Sequence, residues 1–367
     1  MARAAAQRPD FDHRFVATGQ HSDLFDDVVS AFSLAVDHNL GLLTAGQSIE
    51  ALETRIALAL PPLIDKLRPD MVIVQGDTTS AWAAALAAHR HGVPVGHVEA
   101  GLRSHDMTCP FPEERNRVAI DTLSTLLFAP TDDASRNLIT EPAVTGRIVV
   151  TGNTGIDALL AMRDRVRDWR LHDGGTRLIL ATCHRRENIG PGIASICAAL
   201  RQLARRPDVQ IALPLHPNPD VQTGVKQALS DVERITLLPS LSYPEMVRLM
   251  DRAHLILSDS GGLQEEAPAL GIPLLVLRDN TERPEALATG NITLVGTDTD
   301  NIVAAATRLL DDPVAHAAMS HPAYPYGQGD AAERILNAIE DWFGLRPRPS
   351  PGLAERTISY RMPAPQA

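Results

Sequence analysis

Eight short apolar runs recur along the chain with longer helix-period segments between them, and this alternation limits the fold more than any other feature. MVIVQ (71–75) precedes the alanine-rich stretch 80–91, which leads into VPVGHV (93–98). LLFAP (126–130), RIVVTG (147–152), RLILAT (177–182), VQIALPL (209–215), HLILSD (254–259) and IPLLVL (272–277) continue the series. Runs that are apolar at nearly every position suit strands buried on both faces, and the segments between them are long enough for right-handed helical crossovers. The pattern therefore predicts an α/β fold of parallel sheets with helices on both faces. The charged segment 162–176, ending in Gly-Gly, separates two strand series of similar size in a chain of 367 residues. It divides the chain into domains at 1–165 and 166–344, with the proline-bearing 345–367 read as a disordered tail. Two doubly wound Rossmann-like domains facing a central cleft would aim their strand C-termini at a shared ligand site.

Composition narrows what such a cleft can bind. No run approaches eighteen apolar residues, so no membrane span is expected. With 34 basic against 45 acidic residues, a net charge of −11, the overall field repels polyanions; nucleic acid is excluded as a partner, and any anionic ligand needs a local cationic pocket. Cys109, Cys183 and Cys197 form no CxxC pair, which argues against a disulfide framework or a thiolate zinc site and suits a reducing cytoplasm. HExxH, GxSxG, Walker and GxGxxG patterns are absent. The residues call for neither a metal nor a nicotinamide cofactor.

Five clusters, most of them at strand ends, carry the candidate chemistry. In LSDSGGLQEEAPALG (257–271), Ser260, Gly261 and Gly262 open a helix whose N–H groups and dipole suit a phosphate, while Glu265 and Glu266, a turn inside, could accept hydrogen bonds from ribose hydroxyls. A helix cap with favourable dipole charge explains the same string about as well. GDTT (76–79), HVEAGLRS (97–104) and FPEERNR (111–117) bring Asp77, Glu99 and Glu113 toward one cleft, where neighbouring carboxylates would drive at least one pKa upward. The alternative for Glu113 and Glu114 is ion pairing with Arg117 on one helix face. HRREN (184–188) supplies His184, Arg185 and Arg186 at a strand end, the positive charge a diphosphate requires. His216 in HPNPD (216–220) suits a structural hydrogen-bonder, and Arg283 in RDNTERPEA (278–286) fits either the phosphate site or a salt-bridged loop.

Taken in order, TGQH, GDTTS, HVEAGLRS, PFPEERNR, TGNTGIDALL, HRREN, HPNPDV, DSGGLQEEAP and RDNTERPEA closely resemble the non-hydrolysing UDP-N-acetylglucosamine 2-epimerases over roughly residues 1–340. The resemblance implies a GT-B-like pair of domains, a cytoplasmic homodimer, and no metal or nicotinamide cofactor. It implies reversible conversion of UDP-N-acetylglucosamine to UDP-N-acetylmannosamine through a 2-acetamidoglucal, with UDP retained. By similarity Asp77, Glu99, Glu113 and His184 are catalytic, and Arg185, Ser260, Gly261, Gly262, Glu266 and Arg283 bind substrate. Gln20, Arg55, Arg185 and His216 correspond to residues that hold a second, activating UDP-sugar in bacterial members. Ser22 and Asp23 depart from that pattern, and Met246 stands where an aromatic residue often lies against uracil. Family members open with a strand leading into GTRPEAIKMAP, whereas this chain begins inside the following helix. The resemblance thus implies a front domain lacking its first strand and a native protein that extends upstream. A hydrolysing 2-epimerase, a glycosyltransferase of the same architecture and a non-catalytic UDP-sugar-binding homologue remain the alternatives.

Overall fold

The computed structural model describes residues 1–19, 22–42, 44, 47–166, 175–183, 188, 190–216, 219–281 and 283–345. The strands are β1 (Val16–Ala17), β2 (His38–Asn39), β3 (Val72–Gln75), β4 (Val95–Val98), β5 (Leu126–Ala129), β6 (Arg147–Val150), β7 (Arg177–Thr182), β8 (Val209–Pro214), β9 (Ile235–Leu238), β10 (Leu255–Ser258), β11 (Leu274–Val276) and β12 (Ile292–Leu294). The helices of the front half are α1 (Ala2–Ala5), α2 (Ser22–Phe32), α3 (Ile49–Leu67), α4 (Thr79–Arg90), α5 (Glu113–Leu123), α6 (Asp132–Thr140) and α7 (Thr154–Val166). Those of the rear half are α8 (Pro191–Leu203), α9 (Pro219–Leu229), α10 (Tyr243–Arg252), α11 (Gly261–Leu270), α12 (Pro284–Ala288), α13 (Thr299–Asp311), α14 (Pro313–Met319) and α15 (Ala331–Phe343). Among the described residues no helix is long and apolar enough to cross a membrane.

The rear sheet is parallel throughout in the order β12-β11-β10-β7-β8-β9, the doubly wound arrangement in which the winding direction reverses between β7 and β10. Side-chain alternation explains why it is covered on both faces. Ile179, Ala181, Leu255, Leu257, Leu275 and Leu277 pack with α8, α9 and α13, while Leu180, Ile256, Leu274 and Val276 pack with α7, α10 and α11. The front half holds a parallel sheet in the order β3-β4-β5-β6 and a separate parallel pair, β1-β2. Val16 of that pair joins Leu52, Ile56 and Leu60 of α3 and Ala83 and Ala87 of α4, and the Thr18 and Ser80 hydroxyls are hydrogen-bonded at 3.0 Å. Leu52, Ile56, Leu60 and Ile64 recur at four-residue intervals, which gives α3 one buried stripe. Val98, Leu126 and Phe128 face Ile335, Ala338 and Ile339 of α15 on the opposite side, so the last helix lies on the front sheet.

All eight apolar runs read from the sequence are strands. β1, β2, β9 and β12 were not among them; each has two to four residues and no extended apolar run. Of the segment 162–176, where the change of domain was expected at 165/166, residues 162–166 close α7 and 167–174 lie outside the described residues, as does the tail 346–367.

One turn of the front half depends on glycine outright. Gly101 has φ +86°, and a Cβ there would stand 2.3 Å from the Ala134 carbonyl oxygen at the start of α6. Backbone cannot yield as a flexible side chain does. Gly101→Ala is expected to cost about 2 kcal/mol or more and to lower the thermal unfolding midpoint by several degrees; an unchanged midpoint would show that α6 can move aside.

Candidate active site

In the rear half the site is set by the topological switch between β7 and β10. Ser258 ends β10, and its Oγ accepts a hydrogen bond from the Ser260 N–H at 2.9 Å while bonding to the Thr182 hydroxyl of β7 at 2.6 Å. Ser260, in extended conformation, is the N-cap of α11 but gives no side-chain capping bond. The first turn of α11 therefore presents its N–H groups without a side-chain acceptor from its own cap, the arrangement that suits an anion. Gly262 in that turn is exposed, and a Cβ there would meet nothing nearer than Ser260 Oγ at 4.0 Å. Packing within the chain does not require glycine at 262. Below the turn, buried Asn188 donates to Asp259 Oδ2 at 2.9 Å.

The front half contributes two carboxylates from adjacent strand ends. Gly76, at φ +67°, turns the chain after β3 and presents Asp77. Arg117 of α5 binds Asp77 through Nε at 3.1 Å and through Nη2, and Asn116 donates to the Asp77 carbonyl at 2.9 Å. After β4, Glu99 adopts φ +70°, a costly conformation for a residue with a side chain. It is held there because the N–H groups of Glu99 and Ala100 both donate to the Phe128 carbonyl at 3.1 Å. Burial pushes the Glu99 carboxyl up to about 8, and the negative charges of Glu265 and Asp77 push the same way against Arg283 and Arg117.

Glu265 joins the halves. It lies on α11, accepts from Arg283 Nε at 2.7 Å, and accepts from Asn153 Nδ2, just after β6, at 2.7 Å. Close by, Thr131 donates to Glu285 Oε1 at 2.6 Å, and the buried Tyr326 donates its hydroxyl to Glu285 Oε2 at 3.2 Å while its carbonyl accepts from the Asn153 N–H at 2.6 Å. Front and rear strand ends are thus fixed against each other by buried polar contacts, which are stable only when fully paired.

Several sequence expectations change in detail. Asp77 and Glu99 come together, with Glu265, Arg283 and Arg117 the other charges acting most on Glu99; Glu113 opens α5, the helix that carries Arg117. The ion pair proposed for Glu113 and Glu114 with Arg117 forms at Glu114 only. Arg117 Nη1 donates to it at 3.1 Å, and it also accepts from the Ser104 and His105 N–H groups. Glu265, read as a possible ribose acceptor, is occupied by Asn153 and Arg283. Glu266 accepts from the Tyr243 hydroxyl at 3.2 Å, and burial raises its carboxyl to about 7. Arg283 is salt-bridged, as one of its two readings had it. Arg55 lies on α3, donating to Thr44 and Gln47, and His216 is exposed just beyond β8. Gln20, His184, Arg185 and Arg186 lie outside the described residues. Sequence reasoning missed Asn153, Glu285 and Tyr326. Asn153 sits inside TGNTGIDALL, but nothing in spacing pairs it with a glutamate 112 positions later.

A sequence model described as UDP-N-acetylglucosamine 2-epimerase matches residues 3–340. The UDP-N-acetylglucosamine 2-epimerases of Yersinia pestis and Escherichia coli K12 are each 43% identical over 353 residues, covering 93% of this chain and 94% of theirs. The crystal structure of the Neisseria meningitidis UDP-GlcNAc 2-epimerase, bound to UDP-GlcNAc, superposes with a TM-score of 0.87 at 38% identity, covering 93% of this chain and 95% of that one. The Methanocaldococcus jannaschii UDP-GlcNAc 2-epimerase, in complex with UDP-GlcNAc and UDP, gives 0.77 at 30% identity, covering 93% and 94%. A sucrose-phosphate synthase of Thermosynechococcus elongatus, at 15% identity and a TM-score of 0.52, shares the fold alone. With its strand-end carboxylates, open helix turn and near full-length matches, the chain belongs to the UDP-N-acetylglucosamine 2-epimerase family.

Proposed function

We propose that this chain interconverts UDP-N-acetylglucosamine and UDP-N-acetylmannosamine by anti elimination of UDP to 2-acetamidoglucal and re-addition of UDP, the proton returning to the other face of C2. Its membership of the epimerase family supports the overall reaction. The observation that carries the chemistry is the pair of strand-end carboxylates, Asp77 and Glu99, set close to the junction with α11. In the first half-reaction the C2 proton passes to a carboxylate, the C–H electron pair forms C1=C2, and the anomeric C–O bond breaks with its pair leaving on UDP. In the second, a proton is delivered to the other face of C2 and the β-phosphate oxygen re-forms the bond to C1.

Two groups support the proton transfers. Glu99, raised to about 8, carries a proton at neutral pH and can deliver it. Asp77, oriented by Arg117 and Asn116, is its counterpart on the same strand ends. Glu113 and His184 are retained as catalytic groups on the family pattern. Ser260, Gly261 and Gly262 would hold the diphosphate at the head of α11, with Arg185 as the cation on the family pattern. Arg283 would act through Glu265, and Glu266 would meet the ribose. Holding UDP between the half-reactions keeps the glucal from being released. A homodimer and a cytoplasmic setting complete the reading; Gln20, Arg55, Arg185 and His216 match the family's second UDP-sugar site only in part, because Ser22 and Asp23 depart from it.

Incubation with UDP-N-acetylglucosamine in deuterium oxide tests it. Deuterium is expected at C2 of a sugar still attached to UDP, and Asp77→Asn or Glu99→Gln is expected to slow that exchange ~100-fold or more. Free N-acetylmannosamine would instead indicate the hydrolysing reaction, and undiminished exchange in both variants would remove the carboxylates from the mechanism.

The Glu99 shift also has a sign in stability. Its folded value, about 8, lies above the ordinary 4.5, so its contribution is fully present below 4.5 and is lost as pH rises through about 8. Glu99→Gln, which cannot ionise, is expected to gain stability relative to the parent chain between about pH 5 and pH 8.5 in denaturant titrations. A difference that does not change with pH would mean that Glu99 is not buried as an acid.

A further inference from the structure

Beneath the two carboxylates lies a buried polar network that the proposed chemistry does not use. His97 and Asp121 are both wholly inaccessible to solvent. His97 points from β4 toward α5, and its Nδ1 lies 2.6 Å from Asp121 Oδ1. Its Nε2 lies 2.9 Å from the Gly76 carbonyl oxygen. The second Asp121 oxygen accepts from the Gly101 N–H at 3.2 Å and from Arg103 Nη2 at 2.7 Å. Arg103 in turn forms a two-point pair with Glu141 at 2.6 and 2.8 Å.

The chemistry of the acceptors fixes where the hydrogens must be. A peptide carbonyl cannot donate, so Nε2 carries a hydrogen. Asp121 Oδ2 already takes two donors, one of them a guanidinium, which favours the carboxylate form and requires Nδ1 to donate as well. A neutral imidazole has one N–H and would leave a lone pair facing an oxygen in a site closed to water. With both nitrogens protonated, two cations, His97 and Arg103, balance two anions, Asp121 and Glu141. The neighbouring charges, Arg117 with Asp77 and Glu114, are paired among themselves.

The network reaches both carboxylate-bearing turns. Gly76, immediately before Asp77, is held through its N–H by the Val98 carbonyl at 3.0 Å and through its carbonyl by the His97 ring. Gly101, two residues after Glu99, is held by Asp121. We infer that His97 is a buried imidazolium which, through its ion pair with Asp121, acts as a positioning residue that sets the Asp77 and Glu99 turns relative to each other. The charge state stands on the contacts alone; the positioning role rests on the epimerase reading.

Nitrogen NMR of the full chain labelled with 15N-histidine tests the charge state at neutral pH. The His97 resonances, identified by their loss in His97→Gln or by their two slowly exchanging N–H groups, are expected to be of protonated type at both nitrogens. In Asp121→Asn, Nδ1 is expected to move to the unprotonated type. One unprotonated nitrogen in the parent chain, or no change in Asp121→Asn, overturns the assignment. For positioning, His97→Gln is expected to lower kcat for C2 exchange ~10- to 100-fold while the KM for UDP-N-acetylglucosamine and the affinity for UDP change less than about twofold. An unchanged kcat, or a loss matched by weaker UDP binding, overturns that role. If the parent chain shows no exchange at all, the epimerase reading fails, while the NMR result still decides whether His97 is charged.

Discussion

Two carboxylates, Glu265 and Glu285, tie the two halves of this molecule where their strand ends meet, and the more buried of them is Glu265. It accepts from Asn153 of the front half and Arg283 of the rear half, and its charge is the largest electrostatic influence on Glu99. Removing either donor would leave a buried charge half-satisfied, a state that typically costs several kcal/mol. The contact therefore helps to fix the halves against each other, and the Glu265 charge adds to the burial that raises the Glu99 carboxyl.

The site also shows how an acidic protein can hold an anion. The chain carries a net charge of −11, yet the head of α11 offers backbone N–H groups and dipole rather than a field of lysines. Carboxylates dominate the front strand ends, where the proposed reading puts proton transfer rather than phosphate binding. They tolerate one another because each is partnered: Arg117 is shared by Asp77 and Glu114, which also accepts backbone N–H groups, Arg283 pairs with Glu265, and Glu99 retains a proton.

Much of this was legible in the sequence, for definite reasons. Central parallel strands are apolar on both faces, so VPVGHV, RLILAT and HLILSD announce themselves. Edge elements such as β9 and β12 do not, since partial exposure removes the continuous apolar run. The SDSGG string and the strand-end acids were visible because such chemistry clusters at strand C-termini. Pairing was not visible. Arg117 could reach Glu113 or Glu114 by helical spacing, and only the fold shows that it turns to Glu114 and Asp77. Likewise Asn153 with Glu265, and Thr131 and Tyr326 with Glu285, are contacts between distant segments that local periodicity cannot encode.

The most direct measurement is a crystal structure of the chain with UDP-N-acetylglucosamine bound. The diphosphate is expected against the N–H groups of Gly261 and Gly262, with sugar C2 within ~3.5 Å of the Asp77 or Glu99 carboxylate. A nucleotide seated away from the head of α11, or a C2 beyond ~6 Å from both carboxylates in the closed complex, would contradict the account.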